Sequence, residues 1–239
     1  MICVGVDGCK AGWFTVKLIE QSNWEVNVFQ DIRSLWNSCK DASLILIDIP
    51  IGLVKNGSNE RKCDILARDL LSSERRSSVF VTPCRDAVYA DVKEASDINN
   101  KLTNRKLSKQ VLGIILKIKQ VDQLLISNNV AQLRIKEVHP ELCYWALNYR
   151  NSMVFNKKDR RGIRERKEVL FSRYPHCELI FKYAERAYDR KDVARDDILD
   201  ALAAAVTASK GEQVLINIPE NPEIDAKGLP MQMVYYPVL

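Results

Sequence analysis

Residues 194–206 read ARDDILDALAAAV, and this stretch is the best starting point for predicting the fold of the chain. Alanine and leucine dominate it, and neither glycine nor proline interrupts it, so it predicts a helix over residues 196–209. Ile198, Leu202 and Val206 recur every four residues and predict a buried stripe along the helix. The alanines beside this stripe are small enough to let the helix lie close against a β-sheet.

Two acidic residues lie near the start of this helix. Asp197 and Asp200 are three residues apart, so their carboxylates project side by side from one turn. Carboxylates at the edge of a packed face are costly to desolvate unless a cation or a hydrogen-bond donor meets them. A metal ion is one such partner. The alternative interpretation is that the acids only stabilise the helix dipole from its first turn.

The composition is that of a soluble globular chain. Its 239 residues are 46% hydrophobic and 28% charged, and the net charge of +5 permits a polyanionic partner without requiring one. The seven cysteines are odd in number and form no C-x-x-C pair, so we expect reduced thiols in a cytoplasmic protein. No signal peptide precedes the first apolar run, and no apolar run is long enough to cross a bilayer, so we expect no membrane association.

Five strands are predicted from the pattern of apolar residues. Runs that are apolar on both faces indicate central strands, and runs in which apolar and polar residues alternate indicate strands with one covered face. The second and third runs form an antiparallel meander with the first, turning at residues 21–23. A short helix then leads to the fourth run, and this crossover places the fourth strand parallel to the first and beside it. The predicted strands are residues 2–6, 13–19, 24–28, 44–47 and 132–138.

The rest of the chain is predicted to be mainly helical. Residues 52–132 predict a helical insertion between strands 4 and 5, within a single domain of residues 1–239. Its clearest helices are residues 61–71 and 108–126, whereas the polar residues 97–105 predict a loop. Beyond the fifth strand we predict a helix carrying Leu142, Trp145 and Leu147, a basic segment at residues 157–173, and an edge strand within residues 228–237.

Three acidic residues, Asp7, Asp48 and Glu137, stand at the ends of apolar strands. The carboxyl ends of neighbouring parallel strands lie roughly 5 Å apart at one sheet edge, where open α/β sheets bind ligands. We therefore expect all three to converge with Asp197 and Asp200. Clustered carboxylates repel one another unless a cation neutralises them, and Mg²⁺ or Mn²⁺ prefers oxygen ligands.

This cluster predicts metal-dependent phosphodiester chemistry. Two ions about 3.5–4 Å apart can stabilise both the attacking and the leaving oxygen of a phosphoryl displacement. We expect Asp7, Asp48, Asp197 and Asp200 to hold Mg²⁺ or Mn²⁺, and Glu137 to assist catalysis. The hypothesis is a nuclease or phosphodiesterase acting on nucleic acid, and the residues leave DNA and RNA equally open.

Several cationic residues and one histidine could contact the phosphates of such a substrate. Lys10 lies in the turn after Asp7, where it could approach a phosphate or simply be solvated. Proline follows His139, so this residue is held in an extended turn, where it could orient a water or a phosphate or serve only as a structural hydrogen-bonding group. Lys157 and Arg161 belong to the basic segment, which could follow a phosphate backbone or form a solvated helix face.

Three arginines of the insertion have a similar ambiguity. Arg85, together with Arg61 and Arg68, could line a substrate groove. The alternative is that these arginines form ion pairs with acids of the insertion such as Asp64 and Asp69.

Four short blocks of the chain are more distinctive than the acids taken singly. They are VGVDGCKAGW at 4–13, DIPIGL at 48–53, EVHPE at 137–141 and DILDAL at 197–202. In this order they resemble the signature blocks of the predicted RNase-H-like nucleases grouped as domain of unknown function family 429. The resemblance covers nearly the whole chain. It implies that the α/β fold with a mixed five-stranded sheet is RNase-H-like, and that the protein is a hydrolase.

A more distant resemblance concerns the acids alone. Asp7 and the Asp197-x-x-Asp200 pair resemble the metal-binding acids of RuvC-type junction resolvases. Those enzymes carry glutamate at the end of the fourth strand, where this chain has Asp48, which is shorter by one methylene. We favour Asp48 over Glu137 as the ligand because its strand should neighbour the first.

Two other classes of function remain alternatives. A nucleic-acid-binding protein without catalysis would account for the basic segment. An ATP-binding protein related to actin-like ATPases or sugar kinases would account for the Asp7-Gly8 hairpin, although those proteins need a duplicated sheet domain for which 239 residues leave little room.

Overall fold

The structure, a computed structural model, describes residues 1–20, 23–57 and 59–238. The turn predicted at residues 21–23 therefore lies mostly outside the described residues. The strands are β1 (Ile2–Cys9), β2 (Gly12–Ile19), β3 (Asn23–Phe29), β4 (Leu44–Ile47), β5 (Ile135–Glu137), β6 (Ile216–Ile218) and β7 (Met233–Tyr235).

Strands β1 to β5 form one mixed sheet in the order β3-β2-β1-β4-β5. β1, β2 and β3 pair antiparallel, whereas β1 with β4 and β4 with β5 pair parallel. This arrangement confirms the predicted α/β fold, its three-stranded meander and its two parallel strands. The parallel strands bring their carboxyl ends to one edge of the sheet.

The helices flank this sheet and fill the chain between β4 and β5. They are α1 (Ile32–Cys39), α2 (Lys62–Leu70), α3 (Ser73–Arg76), α4 (Arg85–Tyr89), α5 (Val92–Thr103), α6 (Lys109–Ser127), α7 (Asn129–Arg134), α8 (Pro140–Leu147), α9 (Arg160–Arg173), α10 (Cys177–Ala187) and α11 (Arg195–Ala208). Among the described residues, no helix combines the length and the apolar character that crossing a membrane requires.

Helix α11 lies directly against β1 because small residues meet there. A Cβ atom added to Gly5 would lie 2.2 Å from the Ala201 oxygen and 2.2 Å from the Ala205 nitrogen, far inside van der Waals contact. The backbones of β1 and α11 therefore touch, as the alanine-rich sequence predicts. Val6 and Ile47 point to the opposite face of the sheet, where residues of α1 and α6 cover them.

The predicted loop at residues 97–105 is wrong, because most of this segment belongs to α5. The Asp91 side chain caps the helix by accepting the Lys93 N–H at 2.9 Å. Asn99 and Thr103 are buried one turn apart, so polar residues provide the inward face here. A cap and a buried polar face thus stabilise a helix that composition alone does not predict.

Two other predicted strands differ from the structure. The first part of the predicted fifth strand belongs to α7, which the Asn128 side chain caps by accepting the Ala131 N–H at 3.0 Å. The tail adds no edge strand to the main sheet, because β7 pairs with β6 in a separate antiparallel sheet.

Candidate metal centre

Asp7 and Asp48 are neighbours because of the register between β1 and β4. Val6 pairs with Ile47, and the Asp48 N–H donates to the Val6 oxygen at 3.0 Å. Asp7 and Asp48 therefore lie side by side, one residue beyond the Val6–Ile47 pair. Side chains alternate between faces along a strand, so these two point away from the face of Val6 and Ile47 and toward α11.

Helix α11 brings two further carboxylates to this corner of the sheet. Asp200 immediately precedes Ala201, the residue whose backbone touches Gly5, and its side chain is 1% exposed. One turn earlier, Asp197 accepts the Ala194 N–H at 2.8 Å and so stabilises the first turn of the helix. The set formed by Asp7, Asp48, Asp197 and Asp200 is called the acid site below.

The carboxylates of the acid site are close enough to oppose one another's ionisation. Burial raises the pKa of Asp7 well above its usual value, and the charges of Asp48, Asp200 and Asp197 raise it further. Burial also raises the pKa of Asp48 to about 6, although Lys157 opposes the shift. The pKa of Asp197 is about 6 for the same main reason. Four neighbouring acids, two of them buried and two partly buried, are thus electrostatically unfavourable without a cation.

Lys157 is the cation that this structure places at the acid site. Its Nζ lies 2.5 Å from Asp200 Oδ2, and its side chain is 37% exposed. Burial lowers the pKa of Lys157, but the carboxylates of Asp200, Asp7 and Asp48 outweigh burial and raise it well above its usual value. Lys157 balances one of the four possible negative charges. Lys117, whose Nζ donates to the Gly12 oxygen at 2.6 Å, is near enough that the charges of Asp7 and Asp197 oppose the lowering of its pKa by burial.

The segment before Lys157 is anchored by a buried arginine. Arg166 of α9 donates to the Phe155 oxygen at 3.0 Å and to the Gly162 oxygen at 3.1 Å. Its guanidinium also pairs with Glu141, at the start of α8. The backbone before Lys157 is therefore held in place, while the long side chain of Lys157 remains in contact with solvent.

The acid site fits a hard divalent cation by its chemistry. Its donors are carboxylate oxygens, and Asp200 Oδ1 is buried without a hydrogen-bond partner among the described residues. In residues 1–20, 23–57 and 59–238, no three His, Cys, Asp or Glu side chains are arranged as a ready-made ion-binding group. Ion binding would therefore require small side-chain movements, including departure of Lys157 from Asp200.

Glu137 does not join the acid site, contrary to the predicted convergence of five acids. It pairs with Ile47 across the sheet, so it stands in the row of Val6, and its side chain points to the face opposite Asp7 and Asp48. On that face the Arg61 guanidinium donates two hydrogen bonds to the Glu137 carboxylate, at 2.7 and 2.8 Å. Arg61, Asp64 and Glu137 are called the Arg61 cluster below.

The predicted phosphate-contacting residues divide into two groups. Lys10 and Arg161 are exposed, and Arg161 stacks over the Phe155 ring at 4.3 Å. Lys157 joins the acid site. In contrast, Arg85 is buried and pairs with Asp122 and Asp225, which occupies its guanidinium inside the protein.

His139 and the other two arginines also have identified neighbours. His139 lies near enough to lower the pKa of Asp48, and its Nε2 is 3.3 Å from the Ser78 oxygen. Arg61 pairs with Asp64, as the ion-pair alternative predicts. Arg68 pairs with Glu60 instead, while Asp69 pairs with another arginine.

A protein-family model described as "Protein of unknown function (DUF429)" matches residues 5–224. The chain belongs to this family. The matched span includes the acid site, the Arg61 cluster and all of α9. Comparisons of the chain with curated proteins and with solved structures gave no match.

Glu141 is a feature of this DUF429 protein that the sequence prediction missed. Its charge raises the pKa of Asp48, and its Oε2 is buried without a hydrogen-bond partner among the described residues. It stands four residues after Glu137 in the EVHPE block. The alternation of side chains along β5 could have shown that Glu137 points to the face of the sheet opposite Asp7 and Asp48. Glu141, at the start of the next helix, is then the glutamate of this block that is closer to Asp48.

Proposed function

We propose that this DUF429 protein is a divalent-metal-dependent nuclease that hydrolyses phosphodiester bonds. The observation that carries the proposal is the gathering of four carboxylates, two of them buried and two partly buried, beside Lys157. Buried charge of one sign is destabilising unless a ligand compensates for it, and strongly perturbed acids in one place are typical of functional sites.

Asp7, Asp48, Asp197 and Asp200 would hold Mg²⁺ or Mn²⁺, because their oxygens match the ligands that these ions prefer. When bound, such an ion supplies electrophilic stabilisation of the phosphate and lowers the pKa of a bound water. Glu141, whose charge acts on Asp48 and whose Oε2 is buried without a hydrogen-bond partner among the described residues, would accept a hydrogen bond from a water held at the site.

Lys157 has a separate part in this proposal. Its ammonium is placed at the end of a flexible side chain that reaches solvent, so it can leave Asp200 and contact a phosphate oxygen. Asp48 and Asp197, with pKa values of about 6, change from mostly protonated to mostly ionised between pH 5 and pH 7. We therefore expect activity to rise between pH 5 and pH 7.

The test is cleavage of labelled DNA and RNA oligonucleotides in the presence of Mn²⁺ or Mg²⁺. We expect Asp7→Asn to reduce the rate by at least about 100-fold, because metal stabilisation of a phosphoryl transition state is worth several kcal/mol. Asp97→Asn, at an exposed position of α5, is the matched control and should retain full activity.

Two results would contradict the proposal. The first is cleavage by the Asp7→Asn protein at the wild-type rate. The second is an absence of cleavage by the wild-type protein, with either ion, across single-stranded, duplex and branched DNA and RNA.

A further inference from the structure

A basic cleft of about 850 Å³ opens between α9 and the residues that lead into α11. Six cationic side chains line it, and they are Lys158, Arg160, Arg164, Lys167, Arg190 and Arg195. Asp196 is the one acidic residue among the described lining residues. The cleft is therefore a concentrated source of positive potential on a chain whose total net charge is only +5.

Neighbouring acids neutralise only part of this charge. Arg190 and Arg195 share Glu185, and Arg164 Nε lies 2.8 Å from Glu168 Oε1. Together with Asp196, these acids leave an excess of three positive charges. Lys158 and Arg160 are exposed and make no ion pair within the part of the chain that the structure describes, so they are available to an external anion. Lys167 Nζ instead lies 3.9 Å from the centre of the Phe181 ring.

The cleft adjoins the acid site at two points of the chain. Lys157 pairs with Asp200, and the next residue, Lys158, lines the cleft. Ala194 also lines the cleft, and its N–H donates to Asp197 of the acid site. An anionic chain lying in the cleft would therefore contact residues that adjoin Lys157 and Asp197 of the acid site.

We propose that this cleft binds the sugar-phosphate backbone of a nucleic acid next to the bond that is cut, so that the substrate is an oligonucleotide and not a mononucleotide. Repeated phosphates match a row of separate cations, whereas one phosphate would leave most of them unused. The described lining residues include no aromatic ring, so recognition follows charge and not base stacking. The choice of nucleic acid among polyanions rests on the proposed function.

The experiment measures binding of a fluorescent 20-nucleotide DNA, single-stranded and duplex, by anisotropy in EDTA, where cleavage cannot occur. Lys158→Gln combined with Arg160→Gln removes two exposed charges that make no ion pair with any described residue. We expect this variant to bind at least about tenfold more weakly than the wild type. The slope of log K against log salt should fall by roughly 2, because each lost phosphate contact removes about 0.9.

The matched control is Lys93→Gln combined with Lys101→Gln, which removes two exposed charges from α5. We expect it to change affinity less than twofold. Equal weakening by the two double variants, or displacement of the DNA by 1 mM inorganic phosphate or a mononucleotide, overturns the inference.

Binding in EDTA separates this inference from the proposed function. Cleft-dependent binding without any cleavage in Mn²⁺ supports the cleft and contradicts the nuclease. If the Lys158→Gln/Arg160→Gln variant cleaves oligonucleotides as fast as the wild type, the role of the cleft is contradicted and the nuclease proposal is not.

Discussion

Asp48 follows β4 and Glu137 ends β5, yet the two carboxylates have opposite surroundings. Glu137 belongs to the Arg61 cluster, where the guanidinium also donates to Asp64 at 2.5 Å and to the Ile51 oxygen at 2.9 Å. Burial lowers the pKa of Arg61, but the two carboxylates outweigh burial and raise it well above its usual value. Asp48 belongs to the acid site, where four acids have one half-exposed lysine.

The two clusters differ in how completely their charges are balanced and hydrogen-bonded. In the Arg61 cluster, both oxygens of Glu137 accept hydrogen bonds, and one of them also accepts the Ile51 N–H at 2.7 Å. In the acid site, an oxygen of Asp200 has no partner among the described residues. A buried charge that is fully hydrogen-bonded is accommodated by the fold, whereas an unbalanced one is destabilising unless a ligand compensates for it.

The largest expected effect comes from breaking the Arg61 cluster. Arg61→Met leaves two buried carboxylates without their cation, so we expect the free energy of unfolding in urea to fall by about 3–5 kcal/mol. Lys62→Met is the matched control, because Lys62 is exposed and pairs with Glu223 at the surface. That variant should change stability by less than about 0.5 kcal/mol. A loss below about 1 kcal/mol in Arg61→Met would remove the distinction between the two clusters.

The second effect is the pH dependence of metal binding at the acid site. Asp48 and Asp197 have pKa values raised to about 6, so protons compete with the metal below that pH. With these two carboxylates to deprotonate, and Asp7 also raised in pKa, the Mn²⁺ affinity measured by calorimetry should be at least about 100-fold higher at pH 7.5 than at pH 5.

The metal-free protein should show the opposite trend from the same two groups. Because their folded-state pKa values lie above the unfolded ones, Asp48 and Asp197 cost no stability below about pH 4. Their contribution to the free energy of unfolding then decreases as pH rises from about 4 through 6. Mn²⁺ affinity that is equal at pH 5 and pH 7.5 would contradict both statements.

The smallest effect tests the lysine that balances the acid site. Lys157→Gln removes the ammonium that lies 2.5 Å from Asp200 and competes with an incoming cation. We expect Mn²⁺ affinity to rise about tenfold, since one unit of charge at short range is worth a kcal/mol or more. The metal-free protein should melt at a lower temperature. Lys158→Gln is the neighbouring control, and a weaker affinity in Lys157→Gln than in this control would show that the lysine assists the metal.

The sequence predicts the sheet and most of the acid site because both follow from local patterns. Apolar runs locate the parallel strands, and Asp7, near the end of β1, lies beside Asp48, which directly follows β4. The alanines of α11 correctly indicate close packing on Gly5. Glu137 and Glu141 show where local patterns stop, because a one-residue difference in register decides which face of the sheet an acid occupies.

Long-range partners account for the other differences. Arg85 has no local signal that distinguishes a phosphate contact from an ion pair, since its partners Asp122 and Asp225 lie 37 and 140 residues away in the chain. The helix over residues 97–103 depends on a cap at Asp91 and on burial of polar side chains. Such tertiary contacts override composition.

The most direct test of the account is a crystal structure of the protein soaked in Mn²⁺, with the ions located by anomalous scattering. If the acid site binds a divalent ion, we expect a peak coordinated by oxygens of Asp7, Asp48 and at least one of Asp197 and Asp200. Lys157 Nζ should have moved away from Asp200. A peak held elsewhere, or unchanged carboxylates with Lys157 still in place at saturating Mn²⁺, would contradict it.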